Sequence, residues 1–149
     1  MKYETPKDRR RQERAVKLFC DTFDLNYVDR GDFDTVDYDL QNQKLQHIGA
    51  LEVKGCPNRK IDDSFTVQVA IRKLVDMQKY QKLIKKPVAI CWAFDDGIVY
   101  ERLDNLEGRF SLGGRNPREG SYFDVEIMAK VEIKKLKKHK LNYLIFSIC

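Results

Sequence analysis

The run Ile48-Gly-Ala-Leu-Glu-Val-Lys54 constrains this chain more than any other segment. It reads as a mostly buried strand, ended by Gly55 and Pro57, yet it carries an acid and a base. Side chains at i and i+2 of a strand share a face, so Glu52 and Lys54 project together from a strand otherwise bounded by Leu51 and Val53.

The flanking segments predict how such a strand is covered. Val16, Phe19, Cys20 and Phe23 keep the i, i+3, i+4, i+7 spacing of a helix from about Lys7 to Phe23, with Thr5-Pro6 as its start signal. Glu13 lies about 60° from Val16 around that helix, on the inner edge of the apolar stripe. Asp29-Arg30-Gly31-Asp32 is turn-rich, Thr35 to Leu40 alternates like a strand, and Asn42 offers a hairpin turn before Ile48. Val67, Ala70, Ile71, Leu74, Met77, Tyr80, Leu83 and Ile84 predict a second helix from about Ser64 to Ile84, stopped by Lys85-Lys86-Pro87. Val88 to Phe94 and Ile98 to Arg102 read as strands around the tight turn Asp95-Asp96-Gly97, with Trp92 and Phe94 in the core. Residues 108–121 read as a loop rich in glycine and arginine, and Phe123 to Ile133 and Leu141 to Ile148 as a final pair of strands. The predicted order is α-β-β-β-α-β-β with extra C-terminal strands. That is an α/β (α+β) fold with a central mixed sheet flanked by helices.

The 149 residues suit one domain spanning 1–149. With 42% apolar and 34% charged residues, the chain has the balance of a globular protein rather than a disordered or fibrous one. No apolar run approaches the roughly 18–20 residues of a membrane-spanning helix. Met1 to Pro6 lacks the apolar segment of a secretory signal, so the expectation is a cytoplasmic protein that does not engage membranes. Cys20, Cys56, Cys91 and Cys149 lie at least 35 residues apart, with His47 and His139 near none of them. Those spacings do not make a structural zinc site, and the thiols read as small buried apolar groups.

Charge is unevenly spread about the net +5. Residues 7–14 hold Lys7, Arg9, Arg10, Arg11 and Arg14, and residues 130–140 hold six lysines. Between them, residues 21–39 carry seven aspartates and one arginine. This pattern fits a polyanion-binding rim around a metal-binding pocket, and it equally fits solvated faces of helices and loops.

The constellation that carries chemistry is Asp39, at the end of Val36-Asp-Tyr-Asp-Leu40, followed thirteen residues later by Glu52 and then Lys54. A hairpin that returns beside the strand would set the Asp39 carboxylate next to that of Glu52. Two close carboxylates repel, and a hard divalent cation removes the repulsion while keeping waters, one of which can become a nucleophile. The Val53 carbonyl is a natural third ligand, and Lys54 can orient the water or stabilise charge on a phosphate. Asp37 shares the strand face of Asp39 and could share or replace its role. Roughly two to three acid-x-Lys triplets arise by chance in a chain of this composition, and Glu132-Ile133-Lys134 is another, without an upstream aspartate partner.

Asp39 with the hydrophobic strand and Glu52-Val53-Lys54 resembles the signature of the PD-(D/E)XK nuclease superfamily. The pattern is nearest to archaeal-type Holliday junction resolvase-like and phage-encoded nucleases. The likeness extends over roughly residues 7–102, where the element order matches a restriction-endonuclease-like core. It implies Asp39 and Glu52 as ligands of Mg2+ (or Mn2+), Lys54 as catalytic lysine, and Glu13, within Arg9-Arg-Arg-Gln-Glu-Arg14, as an outer ligand or water holder. The implied activity is metal-dependent hydrolysis of DNA, endonucleolytic and selective for structure, by a homodimer that could be virus-encoded. A non-catalytic DNA-binding or assembly protein of the same fold, or an RNA-directed nuclease, would use the same scaffold. Tyr38 stands where the family often has proline. Gln68, Gln78, Tyr80 and Gln81 do not form the glutamine-tyrosine spacing of some branches, which leaves Gln68 and Gln78 as auxiliary candidates at most. Arg9, Arg10, Arg11, Arg59, Lys60, Arg115 and Arg118 are the candidates for holding a nucleic-acid backbone.

Overall fold

A computed structural model describes residues 5–31, 35–114 and 125–141. Helix α1 (Pro6–Phe23) opens with a capping box in which the Thr5 hydroxyl accepts from the Asp8 N–H and the Asp8 carboxylate accepts from the Thr5 N–H, both at 3.1 Å. Of the predicted stripe, Val16, Phe19 and Cys20 are buried, joined by Ala15, whereas Phe23 in the last turn is exposed. The helix is followed by β1 (Asn26–Asp29), β2 (Tyr38–Gln41) and β3 (His47–Gly55), which form an antiparallel meander. Asn42 makes the β2–β3 turn, its side-chain oxygen accepting from the N–H groups of Lys44 and Gln46 at 3.0 Å.

Two readings of the sequence are corrected after β3. Residues 66–70 are a strand, β4 (Thr66–Ala70), and the helix α2 begins only at Ile71 and runs to Ile84. Val67 and Val69 are buried while Gln68 between them is exposed, a period of two that a short stretch can hide within a helical pattern. Strand β7 (Arg109–Gly114) likewise lies in the segment read as a loop, paired antiparallel with β8 (Val125–Glu132), which in turn pairs with β4. The last described strand, β9 (Lys137–Lys140), falls on the lysine run, and of the predicted strand 141–148 only Leu141 is among the described residues.

The main sheet has the order β1-β2-β3-β5-β6-β9, with β5 at Val88–Phe94 and β6 at Gly97–Arg102. It is mixed because β3 and β5 run parallel, in register from Ala50↔Val88 to Gly55↔Ala93. One face is covered by α1, where Val16 and Phe19 join Leu51, Val53, Cys91 and Tyr100. On the other face, Met77 of α2 and Val67, Val69, Ala129 and Val131 of the small sheet pack with Ile90, Trp92 and Phe94. Every residue of β5 is buried, which is why its sequence is a continuous apolar run. The Trp92 indole N–H donates to the Gln68 carbonyl at 3.0 Å, joining the two sheets. Cys20, Cys56 and Cys91 are buried free thiols, and burial pushes the Cys20 thiol up to about 11. No helix among the described residues is long and apolar enough to cross a membrane.

Gly49 of β3 sits where the chain enters β5. A Cβ there would come 2.6 Å from the Pro87 carbonyl oxygen, which also accepts from the Ala50 N–H. Gly49→Ala is expected to cost about 1–3 kcal/mol through the backbone shift it forces. Urea unfolding checks this, and a variant as stable as the parent would show that the β3–β5 junction is looser than described.

Candidate active site

The site forms where β2 stops accompanying β3. Pairing of the two strands runs up to Tyr38↔Leu51, so Asp37 and Glu52 meet just beyond its end. The next inward N–H of β3, that of Val53, is taken by a side chain: Asp37 Oδ2 accepts from it at 2.8 Å. Asp37 and Glu52 are each 4% exposed, and their carboxyl groups are in hydrogen-bonding contact. Burial, followed by the hydrogen bond and negative charge of Asp37, raises the Glu52 carboxyl to about 9, against the opposing pull of Lys73. Glu52 therefore holds its proton far more tightly than an ordinary carboxyl.

Lys73, near the start of α2, places its Nζ 2.8 Å from Glu52 Oε2 and donates to the Thr35 carbonyl at 2.7 Å. No other described group donates to Oε2. Lys54, two residues beyond Glu52 on the same strand face, is half-buried and has no ion pair or hydrogen bond through its ammonium among the described residues.

Asp39 lies on the same face but one step away from the pair, opposite Ala50. Its carboxylate is occupied by Arg30 (Nη1 to Oδ2, 2.7 Å), His47 (Nε2 to Oδ1, 3.2 Å) and the Tyr80 hydroxyl, which donates to Oδ1 at 3.2 Å. The carboxylate beside Glu52 is thus that of Asp37, and Asp39 is held in a separate cluster. The reason is register: the strand alternation puts both aspartates on one face, and the pairing selects which of them meets Glu52. Glu13 is exposed on α1 and pairs with Lys17 at 3.2 Å, on the flank of its stripe rather than its inner edge. Gln68 and Gln78 are exposed.

The basic candidates are dispersed. Arg9, Arg10 and Lys60 are exposed, whereas Arg11 is buried and paired with Asp8 at 3.1 Å. Arg59 is half-buried, donates to the Thr66 carbonyl at 2.8 Å and stands over the Phe94 ring at 5.2 Å. Arg115 and Arg118 lie outside the described residues. The sequence reading missed Lys73, whose position off the apolar stripe of α2 marks it only as a solvated residue. It also missed Arg30, His47 and Tyr80, which carry no motif.

Among the described residues no three His, Cys, Asp or Glu side chains converge. The donor set is instead the Asp37–Glu52 pair together with the backbone of Val53, whose N–H and C=O both point to the side that β2 has vacated. Two buried carboxylates in contact, with a flexible ammonium as the one other partner of Glu52 Oε2 among the described residues, fit a hard divalent cation that keeps several waters.

The metal-free site has a pH signature. Glu52 binds its proton in the folded state up to about pH 9, whereas the unfolded chain releases it near the ordinary value of 4.5. The contribution of Glu52 to stability in EDTA is therefore fully present below that ordinary value and is lost as the pH rises toward 9, by up to about 1 kcal/mol per unit. Denaturant titrations at several pH values check this, with Glu52→Gln expected to flatten the slope. The same slope in parent and variant would place the effect elsewhere.

Comparisons with known proteins bear on the family and the fold. No curated protein matches the chain. Among solved structures it is similar to Hjc of Archaeoglobus fulgidus, a Holliday junction resolvase from an archaeal hyperthermophile. The TM-score is 0.56 at 12% identity, covering 91% of this chain and 93% of the other. That likeness is one of fold, a restriction-endonuclease-like core with its central mixed sheet and two helices. A family model described as "Phage putative PDDEXK endonuclease" matches residues 1–139. With a match over nearly its whole length, the chain belongs to the phage PDDEXK endonuclease family.

Proposed function

We propose that the protein is a divalent-metal-dependent endonuclease that hydrolyses DNA phosphodiester bonds at the Asp37–Glu52 pair. The observation that carries this reading is the meeting of two buried carboxylates at the end of β2–β3 pairing, with one Glu52 oxygen faced by the Lys73 ammonium alone. Asp37, Glu52 and the Val53 carbonyl would hold Mg2+ or Mn2+, with Asp37 in the role that the sequence pattern gave to Asp39. When bound, such an ion supplies neutralisation of the carboxylates, a more acidic water and a Lewis acid for the phosphate.

The chain's own residues do the rest. Asp37 is oriented by the Val53 N–H, so the β3 backbone fixes the angle at which its second oxygen is offered. Lys54 carries its charge on the face of Glu52 without a described partner, placed to orient the attacking water or to stabilise charge gathering on the scissile phosphate. Exposed Arg9, Arg10 and Lys60, with Arg115 and Arg118, would hold the polyanionic backbone nearby. Glu13 would act at most through a water, since its carboxylate is committed to Lys17.

Selectivity for branched DNA, a homodimer that sets two sites on one substrate, and action inside the host cell complete the reading. The branched-DNA element is suggested by a fold shared with a Holliday junction resolvase. The test incubates the protein with plasmid, linear duplex, single strand, four-way junction and RNA, in Mg2+, Mn2+ or EDTA. Cleavage requires the metal, and Asp37→Asn, Glu52→Gln and Lys54→Ala are each expected to lose about 100-fold or more. Asp39→Asn is expected to keep activity within about tenfold of the parent, because Asp39 supports the fold rather than the metal. If Asp39→Asn is the inactive variant and Asp37→Asn cuts, the assignment of the aspartates is reversed. If binding to DNA survives with no cleavage of any substrate, the protein is a non-catalytic binder, and preferential cleavage of RNA would change the substrate class.

A further inference from the structure

The second cation of the site has no place in the sequence motif. Resting on the metal-site reading above, we propose that Lys73 is the resident counter-ion of the carboxylate pair, and that its ammonium and the divalent metal compete for Glu52 Oε2. Three observations carry this. Lys73 Nζ stands 2.8 Å from that oxygen, which has no other donor among the described residues. Glu52 is 4% exposed, so a charge on it is stabilised chiefly by its few neighbours. Lys73 also has a second anchor, the Thr35 carbonyl at 2.7 Å, and is itself only half-buried, at 26%. It can therefore leave Glu52 without becoming a stranded buried charge.

A metal ion on Oε2 and an ammonium at the same oxygen are like charges in contact, in a setting where water screens them weakly. An ion entering the site thus displaces Lys73 from Glu52, while the tether to Thr35 or the solvent receives the ammonium. A lysine suits this better than an arginine, because it is a compact point charge on a flexible stem with no bidentate grip on the carboxylate. Lys73 so filters occupancy: the pair stays neutralised and folded without metal, and loading needs enough free cation to displace the lysine.

The test reads metal binding and lysine exposure, not cleavage. Mn2+ binding is measured by electron paramagnetic resonance for the parent, Lys73→Met, Lys73→Arg and Glu52→Gln. In parallel, acylation of the parent's lysines is followed by mass spectrometry with and without Mn2+. Lys73→Met is expected to bind Mn2+ about tenfold more tightly than the parent, the fold-change that corresponds to one pKa unit of interaction. Lys73→Arg, with its bidentate grip on the carboxylate, should bind Mn2+ more weakly than the parent. Mn2+ should speed acylation of Lys73 severalfold while leaving exposed Lys79 and Lys82 unchanged. Binding by Lys73→Met that is equal to or weaker than the parent's overturns the proposal and makes Lys73 a positioning residue, with the metal site intact. Acylation of Lys73 that Mn2+ does not alter also overturns it, and this arm decides if Lys73→Met fails to fold. If neither the parent nor Lys73→Met binds Mn2+ any better than Glu52→Gln, the metal-site reading fails and this proposal with it.

Discussion

A single substitution of partners, a carboxylate taking the place of a neighbouring strand, underlies the site. β3 is hydrogen-bonded to β5 along Ala50 to Gly55, but its other edge loses β2 after Leu51. A buried backbone N–H left unpaired there would be costly. Asp37 fills that vacancy with Oδ2, and in doing so its side chain is drawn inward against Glu52. The carboxylate pair is thus a consequence of how a central strand satisfies its own backbone. Its electrostatic tension is then eased by the proton that Glu52 holds tightly and by Lys73.

Asp39 illustrates how similar chemistry two residues away is put to a different use. It gathers Arg30 from the end of the β1 hairpin arm, His47 from the start of β3 and Tyr80 from α2, with the Arg30 guanidinium 5.0 Å above the Tyr80 ring. His47 Nε2 also lies 2.9 Å from the Gly49 carbonyl, so its position is fixed by two acceptors. A carboxylate so engaged joins a strand pair to the helix that covers it. That leaves α2 anchored at both ends of its inward face, through Lys73 near one end and Tyr80 near the other.

How much of this was legible depended on distance along the chain. The Thr5-Pro6 start of α1, the all-apolar β5 and the tight turn after it are local signals, and the structure bears them out. Glu52 and Lys54 were legible because a buried strand with an acid is unusual in itself. Asp37 against Asp39 was not, since both share a face and only the pairing register, with its shift at Leu40/Gln41, selects between them. Lys73 was hidden for a different reason: its stem crosses from the side of α2 to Thr35 and Glu52, a reach that periodicity does not encode. Strands β4 and β7 escaped because a small second sheet is held together by pairings far apart in sequence, against weak local preference.

The parallel pairing of β3 with β5 has a consequence for when the protein acquires its chemistry. The strand bearing Glu52 is complete by Gly55, but the partner that buries it begins only at Val88, after β4 and all of α2 have been laid down. Closing that crossover is the slow, non-local step of such a topology. Until β5 docks, the two acids stand in water, where each is an ordinary carboxylate with little hold on an ion. A chain still emerging from the ribosome, with Asp37, Glu52, Lys54 and Lys73 already synthesised, therefore has the residues of the proposed site without the burial that sets them against one another.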